Sequence, residues 1–317
     1  MKYSLVTTCR NEMHSLACWR KNILEQTKQP DEIVIVDAFS DDGTAEELFS
    51  WAKNDLRVKI FQEKGAVAHG RNVAIEKASF EHIVSTDMGV RLVPEWFAEL
   101  TAPFETDPDV ELVLGNSCID RDTLHTAVAR AEFYIENGGF ADPGPGVIGG
   151  NRSSAYLKKI WRECNGLPED LTFCGDDSTF FRQMNEHGYK TAYAPGAMTL
   201  WGRPEKLKSF WKEAWNYGLG DGEAFIKEPW AFRQYRTKRL PWFMVLFING
   251  TRVLQKKCTL AAFGRAFRKF DIPAILVMPV LAFGVGLKNI QGYRVGYNRG
   301  NTECLECRSR IKQGRHL

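Results

Sequence analysis

The chain has 317 residues, of which 44% are hydrophobic and 26% are charged. These are values of an ordinary globular protein, so they exclude disorder, collagen and coiled coil as the main state of the chain. A chain of this length forms one large domain or two modest ones, and it buries a full core without disulfides or structural metals.

The charge is divided unevenly along the chain, although the net charge is only +3. Residues 1–200 contain 20 lysines and arginines against 31 aspartates and glutamates, which gives −11. Residues 201–317 contain 22 against 8, which gives +14. A basic C-terminal third on an acidic body predicts that this third meets an anionic surface, either phospholipid or nucleic acid.

The eight cysteines are scattered and form no tight, even framework. Met1 leads directly into a strand-like run, and no signal peptide is expected. Both observations favour reduced thiols in a cytosolic compartment. Cys304 and Cys307 form one C-x-x-C pair without a second pair or a nearby histidine, so a zinc or redox site is the weaker interpretation of that pair.

The first 120 residues alternate between short β-branched apolar runs and segments with helical spacing. Strands are predicted at 3–8, 32–36, 57–61, 83–86 and 111–114, and helices near 16–24, 46–51, 67–78 and 94–104. This alternation indicates βαβ units, hence a largely parallel sheet covered on both faces. Ligands of such sheets bind at the carboxyl ends of the strands.

A glycine- and proline-rich stretch follows at 138–150, with six glycines and two prolines. It predicts a long irregular loop, and loops of this length inside a domain are usually functional or mobile. Beyond it, a helix is predicted at 178–188, a strand at 189–194 and an aromatic-rich helix at 206–217.

Two apolar runs dominate the C-terminal third, at 241–254 and 272–287, with five basic residues between them. The second run has 16 residues without a charge. It is shorter than the roughly 20 that span a bilayer, and prolines and glycines are expected to interrupt it. Apolar segments flanked by basic and aromatic residues suit helices in a membrane interface. A hydrophobic subdomain packed on the sheet is the alternative, and no nucleic-acid-binding motif is recognisable.

Charged side chains follow two of the predicted strands and begin two of the predicted helices. Asp37 and Asp87 come directly after strands, where a carboxylate binds a ligand or a metal ion, or caps a turn. Arg71 stands near a helix start, where it holds a diphosphate or lies on the solvated surface. Asp176 and Asp177 open a helix whose dipole favours them, and a carboxylate that faces a cleft can serve as a general base.

Six segments of the sequence, taken together, resemble those of a known family. They are TTCRNE (7–12), EIVIVDAFSDDGT (32–44), GRNVAI (70–75), STDMGVRLVPEWFAEL (85–100), GGNRSSAYLKKIWRECNGLPE (149–169) and GDDSTFFRQMNEHGYKTAYAP (175–195). Their order and spacing are similar to those of family 2 glycosyltransferases, which have the GT-A fold. TLWGRP (199–204) and FWKEAWNYGLGDGEA (210–224) resemble the members whose C-terminus is attached to the membrane.

The resemblance implies a donor-binding role for five residues. Thr8, Arg10 and Glu12 occupy positions that contact the nucleotide, with Arg10 where the family often has tyrosine. Asp37 takes the position that binds the base. Arg71 falls where a basic residue approaches the diphosphate.

The resemblance also implies a metal-binding position. Asp87 matches the first acid of the family's DxD motif, which binds Mg²⁺ or Mn²⁺, but Gly89 stands at the second acid. Trp201 stands where many members have a histidine near the metal. The resemblance therefore implies a divalent cation held by Asp87 that must recruit another ligand.

The catalytic machinery is implied in the same way. Asp177 matches the catalytic base of the family's Glu-Asp pair, with Asp176 in place of the glutamate, and Arg182 matches the arginine that follows. Gly150 and Asn151 belong to the segment that borders this site, and the loop at 138–150 is expected to border the acceptor site and to move.

The sequence thus predicts a Rossmann-like α/β/α sandwich of the GT-A type at 1–215, with a mostly parallel mixed sheet. A helical, apolar and basic region at 216–317 is expected to attach to a membrane. The expected activity is inverting transfer from a nucleotide-sugar donor to a lipid-linked or polysaccharide acceptor, in cell-envelope polysaccharide biosynthesis. We expect a peripheral or monotopic location on the cytoplasmic face, without a nucleic-acid partner.

Two other functions remain open from the sequence. A nucleotidyltransferase would carry a glycine-rich basic loop directly after the first strand, and residues 7–12 lack one. A catalytically degenerate GT-A fold that binds only a nucleotide or a partner is favoured by Gly89 and Trp201 and opposed by Asp177.

Overall fold

A computed structural model describes residues 1–139, 143–172, 174–225 and 228–302. These residues divide into two compact units. The first unit falls within Met1–Cys118, Ala141–Glu169 and Asp176–Trp201. The second falls within Ile119–Phe140, Asp170–Gly175 and Gly202–Leu317. Each unit is described separately below.

The elements of the described chain follow the sequence order. The strands are β1 (Tyr3–Cys9), β2 (Glu32–Asp37), β3 (Val58–Gln62), β4 (His82–Ser85), β5 (Val90–Leu92), β6 (Leu112–Ile119), β7 (Ser154–Leu157) and β8 (Thr191–Trp201). The helices are α1 (Met13–Leu24), α2 (Thr44–Asn54), α3 (Val67–Lys77), α4 (Trp96–Thr106), α5 (Ala127–Ile135), α6 (Lys158–Glu163), α7 (Asp176–His187), α8 (Leu207–Glu223), α9 (Trp230–Lys238), α10 (Trp242–Lys257), α11 (Leu260–Phe267) and α12 (Ile272–Thr302). A 3₁₀ turn lies at Arg121–Thr123.

The strands form one sheet in the order β3-β2-β1-β4-β7-β6-β8-β5. Pairing is parallel from β3 to β4, and β7 runs antiparallel to both β4 and β6. The short β5 pairs antiparallel with β8. The α/β class and the mixed sheet predicted from the sequence are confirmed.

The sheet is buried on both faces because its strands are apolar at successive positions. Ile33 and Ile35 of β2 join one core cluster, which also contains the tryptophans of α1, α2 and α4. Val34 and Val36 join another cluster, with apolar residues of α3 and α7. Side chains of a strand alternate between the two faces, so a continuous run such as EIVIV fills both clusters.

Register places the carboxyl ends of three parallel strands at one edge of the sheet. Cys9 of β1 aligns with Asp37 of β2, and Val6 of β1 aligns with Ser85 of β4. Helix α3 approaches this edge closely, since a Cβ added to Gly70 would lie 2.3 Å from Thr8 Oγ1. Only glycine permits this approach without displacing Thr8.

In the second unit, helices α8 and α12 pack backbone against backbone. A Cβ added to Gly218 of α8 would lie 2.0 Å from the carbonyl oxygen of Asn289. A Cβ added to Gly296 of α12 would lie 2.0 Å from the carbonyl oxygen of Leu219. Glycines four residues apart (218 and 222; 292, 296 and 300) share one helix face, which allows close helix packing.

The expected interruption of the second apolar run is wrong, because α12 continues from Ile272 to Thr302 with Pro279 inside it. The glycines of the run mark helix contacts instead of breaks. Gly284 lies against Trp211, and Gly286 lies against the backbone of Asn249.

The arginine of TLWGRP is part of a buried ion cluster in the second unit. Arg203 Nη2 donates to Glu132 Oε1 at 2.8 Å, and Arg203 Nη1 lies 3.0 Å from Glu213 Oε1. Burial raises the pKa of Glu132, and the arginine only partly offsets that effect. A structural role therefore accounts for this motif residue.

Three expectations stay predictions. The boundary after residue 215 lies inside α8 and is not settled. Part of the loop at 138–150 and the pair Cys304 and Cys307 lie outside the described residues. The described cysteines are free thiols.

Substitution of Gly296 by alanine tests the backbone packing of α8 and α12. We expect Gly296→Ala to lower the free energy of unfolding by about 1–3 kcal/mol, because the added methyl group meets backbone that cannot turn aside. Gly264→Ala on α11 is the matched control, since nothing lies within 4 Å of its Cβ. It should stabilise by about 0.5–1 kcal/mol. Chemical denaturation measures the free energy of unfolding of both variants. Equal changes in the two variants would contradict the close packing of α8 on α12.

Candidate active site

Arg71 joins two of the carboxylates that the sequence singled out. Its Nη1 donates to Asp176 Oδ2 at 2.7 Å, and its Nη2 donates to Asp87 Oδ1 at 2.8 Å. The residue lies in α3, one position after the glycine that packs on Thr8. Asp87 and Asp176 are 89 positions apart in sequence, so a single buried guanidinium connects the end of β4 to the start of α7.

The glycine-rich loop before β7 brings the next two predicted residues to the same place. A Cβ added to Gly149 would lie 2.5 Å from Leu114 Cδ2 and 2.6 Å from Phe181 Cδ1, so the loop packs tightly here. This packing aligns Asn151, whose Nδ2 donates to Asp87 Oδ1 at 2.9 Å. It also sets Gly150 beside α7, where a Cβ would lie 3.5 Å from Asp177 Oδ2.

The pKa values of the two carboxylates bound by Arg71 are shifted in opposite directions. Burial opposes ionisation of Asp87, but the charges of Arg71 and Arg152 and the hydrogen bond from Asn151 outweigh it, and the pKa of Asp87 is lowered. Burial and the neighbouring Asp177 raise the pKa of Asp176, although Arg71 acts in the opposite direction. Burial acts against the charge of Arg71 too, but its acidic neighbours raise its pKa and keep it ionised.

Asp176 and Asp177 have different surroundings despite their adjacency. Asp176 is buried and bound by Arg71. Asp177 is half-buried, and its Oδ1 accepts from the backbone N–H of Ser178 at 2.7 Å. Asp177 is thus the more accessible carboxylate of the pair.

The other predicted donor residues lie along the carboxyl edge of the sheet. Thr8 donates through Oγ1 to the carbonyl oxygen of Val36 at 2.9 Å. Asp37 is fully buried and accepts from the backbone N–H of Ser40 and from Gln62 Nε2, the latter at 2.9 Å. These bonds fix the end of β2, and a role for Asp37 in base binding stays a prediction.

Two predicted residues are not joined to the cluster. Arg10 is exposed after β1. Arg182 is half-buried in α7, and within the described part of the chain it forms no ion pair with Asp176 or Asp177. Their implied roles in donor binding and catalysis stay predictions.

The described residues around Asp87 do not fit a divalent cation. One oxygen of Asp87 accepts from Arg71 and Asn151, and the other lies 3.7 Å from Arg152 Nε. The carboxylate of Glu12 lies across from Gly89, whose added Cβ would be 3.8 Å from either oxygen. No group of three His, Cys, Asp or Glu side chains in the described chain is placed to hold a metal ion. Two guanidinium charges beside one carboxylate oppose a further cation.

Trp201 connects to the cluster through a residue that the sequence analysis did not single out. Trp201 of β8 pairs with Val90 of β5, and Val90 is three residues after Asp87 in the sequence. The guanidinium of Arg152 lies over the indole, 3.6 Å from the ring centroid. Two features of the sequence could have identified Arg152. Gly89 and Trp201 both differ from the residues that the family resemblance leads one to expect, and an arginine stands next to Asn151 in the segment 149–169.

Comparison with known proteins assigns the family. A family model described as glycosyl transferase family 2 matches residues 4–163, just over half of the chain. The chain belongs to glycosyl transferase family 2. It is therefore a glycosyltransferase, as the sequence motifs predicted.

Curated relatives are similar to most of this chain. The chain is 22% identical over 255 residues to poly-beta-1,6-N-acetyl-D-glucosamine synthase of Staphylococcus aureus. That match covers 77% of this chain but only 60% of the length of the relative.

Two solved structures show the GT-A fold. The mannosyltransferase PcManGT of Pyrobaculum calidifontis, in complex with GDP-Man and Mn²⁺, has a TM-score of 0.57 and 22% identity, with 91% of this chain and 87% of that chain covered. Residues 1–349 of S. aureus TarS, in complex with UDP-GlcNAc, have a TM-score of 0.50 and 15% identity, with 95% and 92% covered.

Replacement of Arg71 by methionine tests its role as the cation between Asp87 and Asp176. We expect Arg71→Met to lower the free energy of unfolding at neutral pH by about 3–5 kcal/mol, because the buried Asp176 and the half-buried Asp87 lose their partner. Burial already raises the pKa of Asp176, and removal of Arg71 takes away the main group that offsets that effect. The charge of Asp176 then destabilises the variant at neutral pH, and protonation relieves it, so the loss should be smaller near pH 5.

Urea denaturation at both pH values measures this loss. Arg162→Met, which removes an exposed arginine 3.4 Å from Glu81, is the control and should change stability by at most about 1 kcal/mol. A small loss of unfolding free energy in Arg71→Met, or a loss that grows as the pH falls, would contradict the role of Arg71 as the cation between Asp87 and Asp176.

Proposed function

We propose that this chain is an inverting glycosyltransferase that moves a sugar from a nucleoside diphosphate sugar to an acceptor hydroxyl of a lipid-linked or growing glycan. The observation that carries the proposal is the placement of Asp177 beside Gly150, one residue from the asparagine that binds Asp87. Asp177 thus lies next to the carboxyl edge of the sheet, where ligands of such folds bind.

The relatives supply the classes of substrate. Poly-beta-1,6-N-acetyl-D-glucosamine synthase is named for a polysaccharide product. PcManGT and TarS were solved with GDP-Man and UDP-GlcNAc, and both ligands are nucleotide sugars. These names support a nucleotide-sugar donor and a glycan acceptor, while the sugar and the base are left open.

The proposed reaction is one in-line displacement at the anomeric carbon. The acceptor oxygen forms a bond to that carbon on the face opposite the diphosphate, and its proton moves to the carboxylate of Asp177. The bond from the anomeric carbon to the diphosphate oxygen breaks, and the nucleoside diphosphate leaves with the electron pair. The configuration at the anomeric carbon inverts.

The neighbours of Asp177 prepare it for this step. Arg71 binds Asp176 and so fixes the first turn of α7, from which Asp177 projects. Gly149 packs tightly against Leu114 and Phe181, which fixes the loop that lies beside Asp177. A base held in position raises the rate by about 10²–10⁴-fold.

Substitution of the proposed base tests this mechanism. We expect Asp177→Asn to lower kcat for transfer by about 10²–10⁴-fold, because the amide cannot accept the proton. The measurement is release of UDP or GDP from UDP-GlcNAc and GDP-mannose in the presence of membranes that supply acceptor. Glu186→Gln, an exposed residue of the same helix, is the control and should keep the wild-type rate.

Two results would argue against the hydroxyl-acceptor mechanism. If kcat of Asp177→Asn falls by less than tenfold, the result would point to a phosphate acceptor, whose nucleophile is already ionised. Donor binding without any turnover by the wild type would favour the degenerate, binding-only fold, which the substitutions at Gly89 and Trp201 make the second candidate.

We further propose that the second unit attaches to the cytoplasmic face of a membrane. Helices α10 to α12 expose large apolar side chains: Phe243, Met244, Phe247, Leu260, Phe267, Phe270, Ile272, Leu276 and Val280. Exposed basic side chains lie on the same segment: Lys256, Arg268 and Lys269. Apolar side chains with neighbouring lysines and arginines are typical of surfaces that insert into an anionic lipid interface.

Two further features of this unit support a lipid partner. One helix of the described chain, over Ile272–Gly300, is long and apolar enough to cross a bilayer by length and composition alone. A groove of about 440 Å³ also runs between helices, lined by Trp211, Leu254, Pro279, Val280, Phe283 and Leu287. Its apolar lining suits the hydrocarbon chain of a lipid-linked acceptor.

Vesicle binding tests the membrane proposal. We expect the purified protein to sediment with vesicles that contain phosphatidylglycerol and to bind phosphatidylcholine vesicles more weakly. Leu276→Glu with Val280→Glu should reduce sedimentation by at least about tenfold, because two charges enter the apolar surface. Leu56→Glu, at a 95% exposed leucine of the first unit, is the control and should bind as wild type does. Equal binding by all three proteins would refute the proposal.

A further inference from the structure

Arg152 is held at the site by two kinds of contact. Its guanidinium lies over the indole of Trp201, with 3.6 Å to the ring centroid. Its Nε lies 3.7 Å from Asp87 Oδ2. A guanidinium stacked on a ring keeps its N–H donors in the plane of the stack, and its forked donor geometry matches a planar or tetrahedral anion.

The two arginines beside Asp87 differ in exposure. The side chain of Arg71 is 10% exposed and both of its terminal nitrogens bind carboxylates. The side chain of Arg152 is 28% exposed. Arg71 is shared between Asp87 and Asp176, so Arg152 is the second cation beside Asp87, and it is the more exposed of the two.

The position of Arg152 accounts for one of the two departures from the family pattern. Trp201 replaces a histidine and provides the surface on which the guanidinium lies. Gly89 replaces an acid, although the site has room for a side chain, since an added Cβ would be at ordinary contact distance from Glu12. A loss of metal ligands and a gain of a held cation are complementary changes.

We propose that the Arg152 guanidinium, stacked on Trp201, binds the diphosphate of the donor in place of a divalent cation. This inference rests on the proposed function, because it assigns a residue to the diphosphate of a nucleotide-sugar donor. Arginine binds phosphate oxygens in a forked geometry, and its charge stabilises the diphosphate as it leaves.

The test is calorimetric titration of the full chain with UDP, GDP, ADP, CDP and dTDP, each in excess EDTA and each with Mn²⁺. We expect at least one nucleotide to bind in EDTA, with a Kd that Mn²⁺ changes by less than about threefold. Arg152→Ala should weaken binding in EDTA by roughly 10- to 100-fold, since charge-assisted hydrogen bonds are lost. The Kd of Arg152→Lys in EDTA should lie between those of the wild type and Arg152→Ala.

Arg121→Ala is the matched control, because Arg121 also lies over an aromatic ring, 5.5 Å from the centroid of Phe133, outside this cluster. It should bind as wild type does, and far-UV circular dichroism verifies that each variant is folded. Binding that requires Mn²⁺, or an Arg152→Ala variant that binds normally in EDTA, would overturn this inference alone. Absence of binding by every nucleotide under both conditions would overturn the proposed function as well.

Discussion

The ion pairs of Arg71 are the interaction on which the candidate site depends. One buried guanidinium holds Asp87, which follows β4, and Asp176, which opens α7. A charged group out of water is tolerated only with partners, so the three residues require one another. Gly70 makes this possible because its lack of a side chain lets α3 approach β1. The general-base role that we propose for Asp177 is supported by the same pairing, which occupies the neighbouring Asp176.

Most of the first unit could be predicted from the sequence because its strands and helices are strongly periodic. Apolar β-branched runs such as EIVIV, separated by helical spacing, gave the parallel part of the sheet. The short β5 and β7 were not predicted, since three or four residues carry little pattern and tertiary pairing decides their state. The continuity of α12 was also missed, because its glycines break a helix in isolation and pack it against neighbours in the folded chain.

The acids of the candidate site and Arg71 could be identified from the sequence, whereas the contacts of Arg71 and the presence of Arg152 could not. Asp87 and Asp177 stand at strand and helix ends, positions that sequence motifs mark. That Arg71 binds both Asp87 and Asp176 depends on packing at Gly70 that no local pattern reveals. Arg152 was overlooked because its place depends on the register of Val90 with Trp201. The tryptophan at position 201 looks like a loss in the sequence, whereas in the structure its indole is the surface on which the Arg152 guanidinium lies.

A double-mutant cycle between Arg71 and Asp176 tests the central interaction most directly. The free energy of unfolding is measured for the wild type, Arg71→Met, Asp176→Asn and the double variant. Groups in direct contact within one buried network interact by about 0.5–3 kcal/mol, and we predict a coupling of about 2 kcal/mol or more. Additivity within about 0.5 kcal/mol would contradict the account, because each residue would then act without the other.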